Sequence, residues 1–243
     1  MNRVKIRPAI VKNGAAALEA ELYFLLLFLG KKKDEHVEKA LRFCQLNFTD
    51  VTAHLGKWGD PLPEDIGWWD GEYIISYLSR WVVPDYLLKK AKVAAINFHP
   101  APSEYPGIGC NNFALYEEAK EYGVTCHHMA SRVDTGAIIA VKRFPVFAAD
   151  NVATLLSRTY EYQLVLFYEI VSLILKGKEL PVSEERWTRK PFTRKEFNDL
   201  GRITPDMSQE EIAERIRATT FGVWKPAIEL QGFVFELKTE QDG

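Results

Sequence analysis

The chain has 243 residues, 47% apolar and 26% charged; disordered chains carry far fewer apolar residues, so a folded protein is expected, with one large domain or a domain plus a small C-terminal addition. Lys and Arg number 31 against 33 Asp and Glu, a formal net charge of -2, too small to steer the whole chain toward nucleic acid or an anionic membrane surface. The three cysteines, Cys44, Cys110 and Cys126, are widely spaced and include no Cys-x-x-Cys pair, which argues against a disulfide scaffold or zinc knuckle and fits a reducing cytoplasm.

In chain order, Val4 to Val11 reads as a strand closed by Asn13-Gly14, and Ala15 to Leu29 is rich in helix formers. Within it, Leu22 to Leu29 follows Arg3, Lys5, Arg7 and Lys12 and mimics a secretory signal. Yet Glu19 and Glu21 lie just before the run, it is far short of the roughly 20 residues that cross a bilayer, and Lys31-Lys32-Lys33 replaces a small-residue cleavage site. A buried helix is therefore expected there. Asp34 to Leu46, with Val37, Leu41 and Cys44 at helical spacing, predicts a second helix, whereas polar Asp50 to Gly59 predicts no strand.

Glu72 to Leu78 and Lys92 to Phe98 read as buried strands separated by helical residues after Pro84. A Pro/Gly-rich loop, Pro100 to Gly109, leads to a helix near Asn112 to Glu121, a strand from Val124 to Met129, a turn at Asp134-Thr135-Gly136 and a strand from Ile138 to Phe144. Strands alternating with helices imply an α/β fold with right-handed crossovers and a mostly parallel sheet. Asp150 or Asn151 caps a long helix from Val152 to Leu175, closed by Gly177 and Pro181. Thr193/Glu196 and Ser208/Glu211 match capping boxes that start two short helices, and Gln231-Gly232 predicts a terminal hairpin. The expected division is a sheet domain over 1–180 and a small helix and β-hairpin appendage over 181–243.

In such sheets ligands bind beyond the carboxyl ends of the strands. Asn97 and His99 end one strand two residues apart, so both face one side while Ile96 and Phe98 face the other. A turn aspartate such as Asp134 ordinarily bonds its own backbone. Together with Asn97 and His99, however, it could form a proton-transfer and oxyanion constellation that needs no covalent nucleophile. His127 and His128 are adjacent in a strand and point to opposite faces, so no metal site is expected. Glycine-rich phosphate loops are absent, which disfavours a kinase or dehydrogenase.

The stretches Ile96-Asn-Phe-His-Pro100, Pro102 to Gly107 (PSEYPG), Gly123-Val-Thr-Cys-His127 and Val133-Asp-Thr-Gly-Ala-Ile-Ile139 together resemble the 10-formyltetrahydrofolate-dependent formyltransferase family in type, order and spacing, over roughly residues 72 to 145. The resemblance implies a mostly parallel Rossmann-like formyltransferase sheet flanked by helices. It assigns catalysis to Asn97, His99 and Asp134. The donor 10-formyltetrahydrofolate would be held by Leu78, Arg80, Trp81, Val82, Met129 and Val133, and the acceptor by Pro102, Tyr105 and Gly107. A neutral amine would attack the formyl carbon while Asn97 and His99 stabilise the oxyanion and Asp134 orients the imidazole. Two departures stand out: Ala101 replaces the serine common after His-Pro, and residues 30 to 72 look too short for the usual strand, helix and strand.

Members acting on tRNA carry a larger, basic C-terminal extension. Here Arg186, Arg189, Lys190, Arg194, Lys195 and Arg202 are diluted by Glu184, Glu185, Glu196 and Asp199, a mixed-charge surface unless some of them meet a phosphate or diphosphate. The stretch Ile212 to Thr219 leading into a hairpin resembles the tail of nucleotide-sugar N-formyltransferases. The resemblance thus favours a cytoplasmic N-formyltransferase with a small-molecule amine acceptor, a nucleotide-linked amino sugar ahead of glycinamide ribonucleotide or methionyl-tRNA. No nucleic-acid or membrane partner is expected, and a homodimer through the C-terminal region is compatible with this reading. The alternatives are a hydrolase of the same donor and a folate-binding protein without catalysis.

Overall fold

The computed structural model describes residues 24–238. The expected strand Val4 to Val11, its Asn13-Gly14 turn and the start of the helix expected from Ala15 lie outside the described residues. The end of that expected helix is instead strand β1, Leu25–Lys31. A short apolar run cannot be assigned by periodicity alone, and this one is buried on both faces, as an interior parallel strand must be.

Helix α1, Glu35–Asn47, follows at once because Asp34 caps it, its Oδ1 accepting from the backbone N–H groups of His36 and Val37. Strand β2, Asp50–Gly56, occupies the segment where no strand is expected. It pairs with β1 alone and is only partly buried, which explains its polar sequence. After a 3-10 turn at Glu64–Trp68 comes β3, Gly71–Tyr77. Residues 30 to 72 therefore hold helix α1, strand β2 and the 3-10 turn that leads into β3, with no α-helix between β2 and β3.

Helix α2, Asp85–Leu88, leads to β4, Ala91–His99. Helix α3, Cys110–Tyr116, is shorter than expected, because β5 begins early, at Glu121–His128. Strand β6, Ile138–Pro145, precedes the long α4, Val152–Leu175, whose cap Asn151 forms a capping box with Thr154. The sheet order is β2-β1-β3-β4-β5-β6. The first four strands are parallel, while β5 runs antiparallel to β4 and β6 to β5. The connection from β5 to β6 is too short for a crossover helix, so that pair has to be a hairpin.

One face of the sheet packs under α1 and α4, where Phe167 meets Tyr77 and Phe98 with ring centroids 5.2 Å apart in each case. The other face buries Leu27, Leu29 and Ile74 against Val83 and Leu87. The tail holds α5 (Arg194–Leu200), β7 (Arg202–Ile203), α6 (Gln209–Thr219), β8 (Ala227–Leu230) and β9 (Phe233–Glu236). Gln231 and Gly232 both have positive φ, 53° and 81°, as a two-residue I′ hairpin requires. No helix among the described residues is long and apolar enough to cross a membrane.

Candidate active site

The parallel strands β3 and β4 end at one rim of the sheet, and there a cleft of about 960 Å³ opens. Asn97 and His99 stand on its floor, while Ile96 and Phe98 between and beside them enter the main core. The loop leaving His99 is buried, so its carbonyls need partners inside the protein. Gln163 of α4 donates to the carbonyl of Phe98 at 2.6 Å, the Tyr122 hydroxyl to that of Pro100 at 3.0 Å, and the Thr125 hydroxyl to that of Ala101 at 2.7 Å. These three bonds fix the backbone on either side of His99.

Both nitrogens of the His99 ring are engaged. Nε2 lies 2.9 Å from the carbonyl oxygen of Tyr105 and Nδ1 lies 3.2 Å from Oδ2 of Asp134. Asp134 reaches them from the β5–β6 loop with φ 48°, a left-handed conformation that aspartate tolerates. Its Oδ2 also accepts from the backbone N–H of Gly107 at 2.8 Å, and its Oδ1 lies 3.3 Å from Nε2 of His127. Burial would push this carboxyl up, but the facing His99 ring, helped by His127 and the Gly107 N–H, outweighs it and holds the group at about 2. Asp134 is therefore a carboxylate at neutral pH despite being only 4% exposed.

Gly107 must be glycine: its φ is 93°, and a Cβ there would sit 2.5 Å from the backbone N and O of Phe192. That close approach threads the tail past the site, with the Phe192 N–H donating to Pro106 O at 2.9 Å and the Ile108 N–H to Phe192 O at 3.0 Å.

Two groups near the triad are absent from the expected site. His127 faces Asn97 directly across β4 and β5, and its Nε2 lies 3.1 Å from Nδ2 of Asn97. Its Nδ1 donates to the carbonyl of His128 at 2.8 Å, which leaves Nε2 either to accept from the Asn97 amide or, once protonated, to donate to Asp134. Trp187, from the tail, packs edge-on against His127 and His99 at ring-centroid distances of 5.1 and 5.8 Å and donates through Nε1 to Gly136 O at 2.8 Å. The cross-strand register of Asn97 was the one signal that could have singled out His127; nothing local marks Trp187.

The residues expected to bind the donor, Leu78, Arg80, Trp81, Val82, Met129 and Val133, all line the cleft, as does Gly107. Leu78 turns the chain out of β3 with φ 51°, a strained conformation of the kind that collects at functional sites. Pro102 and Tyr105 do not line it. Pro102 is buried in the loop, and the Tyr105 ring packs against Tyr122 and Phe192, so Tyr105 serves the site through its carbonyl. Ala101 is fully buried and gives only its carbonyl, to Thr125. Cys110, the one cysteine at the cleft, has its thiol pushed up to about 11 by burial, so no thiolate nucleophile is available. Among the described residues no His, Cys, Asp and Glu cluster could hold a metal ion.

Residues 71–171 match the formyl transferase family, and this stretch contains Asn97, His99, His127 and Asp134. Over these residues the chain is similar to that family. It is 31% identical over 137 residues to a methionyl-tRNA formyltransferase of Levilactobacillus brevis, covering 56% of this chain and 43% of that one. It is 28% identical over 190 residues to the GDP-perosamine N-formyltransferase of Brucella melitensis, covering 77% of this chain and 70% of the relative. The fold matches the N-formyltransferase of Helicobacter canadensis, solved with folinic acid and dTDP-3-aminofucose, with a TM-score of 0.67 at 19% identity over 87% of this chain and 85% of that one. The chain thus spans less than half of its tRNA-directed relative and over two thirds of the sugar-directed one.

Proposed function

We propose that the protein transfers a formyl group from 10-formyltetrahydrofolate to the amine of a small acceptor, a nucleotide-linked amino sugar. The observation that carries this reading is the convergence of Asn97, His99 and Asp134 on the floor of one cleft. The family match over residues 71–171, and the longer reach of the match to GDP-perosamine N-formyltransferase than to the tRNA enzyme, support it.

The cleft fits the donor chemically. Leu78, Trp81, Val82 and Met129 give an apolar wall for a flat heterocycle, and the volume leaves room for a second ligand beside it. When bound, the donor supplies an activated formyl group. Asn97 offers an amide N–H to an oxygen gaining negative charge, and the Nε2–H of His99 reaches the same oxygen by exchanging the Tyr105 carbonyl for it. The Asp134 carboxylate keeps His99 oriented through Nδ1, while in the unliganded site the Tyr105 carbonyl holds the ring from the other side. His127 holds or yields a proton at Nε2 between Asn97 and Asp134. Asn97, His99 and Asp134 are the catalytic residues of this reading, Leu78, Arg80, Trp81, Val82, Met129 and Val133 contact the donor, and Gly107 borders the acceptor.

The buried free thiols Cys44, Cys110 and Cys126 fit a cytoplasmic setting. Part of the tail's positive charge is taken up by ion pairs, Arg189 with Glu117, Arg202 with Glu229 and Arg215 with Glu211, which fits a small acceptor better than a nucleic acid. A second copy of the chain would pack on the hairpin β8–β9, whose Phe233, Val234 and Phe235 are exposed.

The test is incubation with 10-formyltetrahydrofolate and a panel of nucleotide-linked amino sugars, following tetrahydrofolate release by absorbance and the sugar by mass spectrometry. An N-formylated sugar is expected. Formate without formylated sugar would indicate hydrolysis of the donor, and tight folate binding without turnover a binding protein; either overturns the reading.

A further inference from the structure

Three chain segments meet at the mouth of the cleft and bring together one exposed indole and two guanidinium groups. Trp58, on the loop after β2, is 65% exposed. The guanidinium of Arg80, from the turn after β3, lies 6.0 Å from its ring centroid, and that of Arg194, at the start of α5, lies 5.1 Å away. All three residues line the cleft. Arg143, Arg158, Arg189, Arg202 and Arg215 each face a carboxylate, but among the described residues neither Arg80 nor Arg194 has one within ion-pair distance.

The indole is held in place. The Lys57 N–H donates to the Asp60 carboxylate at 2.7 Å and the Asp60 N–H to Lys57 O at 3.2 Å, which closes the loop into a turn around Trp58. The Trp81 Nε1–H pins that turn by donating to the carbonyls of Asp60 and Pro61 at 2.9 and 3.1 Å. Gly56 admits this anchor, since a Cβ there would run into the Trp81 ring. On the other side the capping box of Thr193 with Glu196 starts α5, and the Arg194 guanidinium lies 5.5 Å from the Phe197 ring. A guanidinium resting on an aromatic face is partly desolvated there, and its N–H edge stays free for a bidentate anion.

We propose that Arg80, Trp58 and Arg194 form a clamp for the polyanionic end of a ligand bound in the cleft. Two ligands of the proposed reaction carry such an end: the acceptor through a diphosphate, the donor through its glutamate chain. Only this choice of source rests on the formyl-transfer reading; the clamp itself is a matter of binding.

The clamp is tested by isothermal titration of the full chain at low salt with inorganic pyrophosphate and, separately, with tri-γ-glutamate, using wild type, Arg80→Gln and Arg194→Gln. Binding of pyrophosphate that weakens about 10-fold or more in each variant assigns the clamp to the acceptor, and the same result with tri-γ-glutamate assigns it to the donor; both should weaken as salt rises. Absence of binding by either anion to wild type, or equal affinity in wild type and both variants, overturns the proposal. Since nothing in the titration turns over, its failure is separable from a failure of formyl transfer.

Discussion

At the scale of single residues, Asp134 is held by several partners at once. It is buried, adopts a left-handed backbone, and divides its oxygens among His99, His127 and the Gly107 N–H. Because its folded-state value of about 2 lies below the ordinary aspartate value of 3.8, its contribution to stability is complete above about pH 4 and is lost as pH falls toward 2. That contribution is on the order of 2 kcal/mol. Denaturant unfolding at a series of pH values should therefore show a shallower acid loss in Asp134→Asn than in wild type. Parallel curves would mean that the carboxylate is not held by its neighbours. Asp150, held at about 2 chiefly by Arg158, gives a background slope common to both proteins.

At the scale of elements, the end of β4 and the two residues after it are kept in place by bonds to their carbonyls from α4 and β5. Thr125→Val keeps the shape of that side chain but leaves the Ala101 carbonyl buried without its partner, and should cost about 1–3 kcal/mol in denaturant unfolding. An unchanged midpoint would show that the carbonyl finds another donor. The legibility of the fold follows from where each element's information lies. Helices α1, α4 and α5 are written locally, in Asp34, Asn151 and Thr193 as caps followed by apolar spacing, and they match expectation. Strand β1 looks helical in sequence because leucine-rich runs suit both states and only burial on two faces decides between them. Strand β2 is not legible in sequence because an edge strand need not be apolar. Asn97 and His99 were legible as a period-two pair at a strand end. His127 and Trp187 were not, because their closeness to that pair is made by strand register and by a tail distant in sequence.

At the scale of the whole molecule, the tail completes the cleft. Residues after 181 return across the sheet rim: the Ser183 N–H donates to Ile138 O at 3.1 Å, the Thr188 N–H to Ser103 O at 3.3 Å, and the Phe192 ring stacks on Phe113 at 3.7 Å. Pro191, Phe192, Arg194 and Phe197 line the cleft. Trp187→Ala removes the edge-on support of His99 and His127 and should lower turnover on the order of 10-fold, since small misplacements of catalytic groups are costly. Trp187→Phe should recover much of the rate, and equal rates in wild type and Trp187→Ala would make the contact incidental. The most direct test of the proposed function is single-turnover transfer from 10-formyltetrahydrofolate to the best amino-sugar acceptor, comparing wild type with Asn97→Ala, His99→Ala and Asp134→Ala. Formylation by wild type, slowed at least about 100-fold in each variant, is expected from their oxyanion and proton-transfer roles. Transfer at the wild-type rate in all three variants would place the chemistry elsewhere and contradict the site described above.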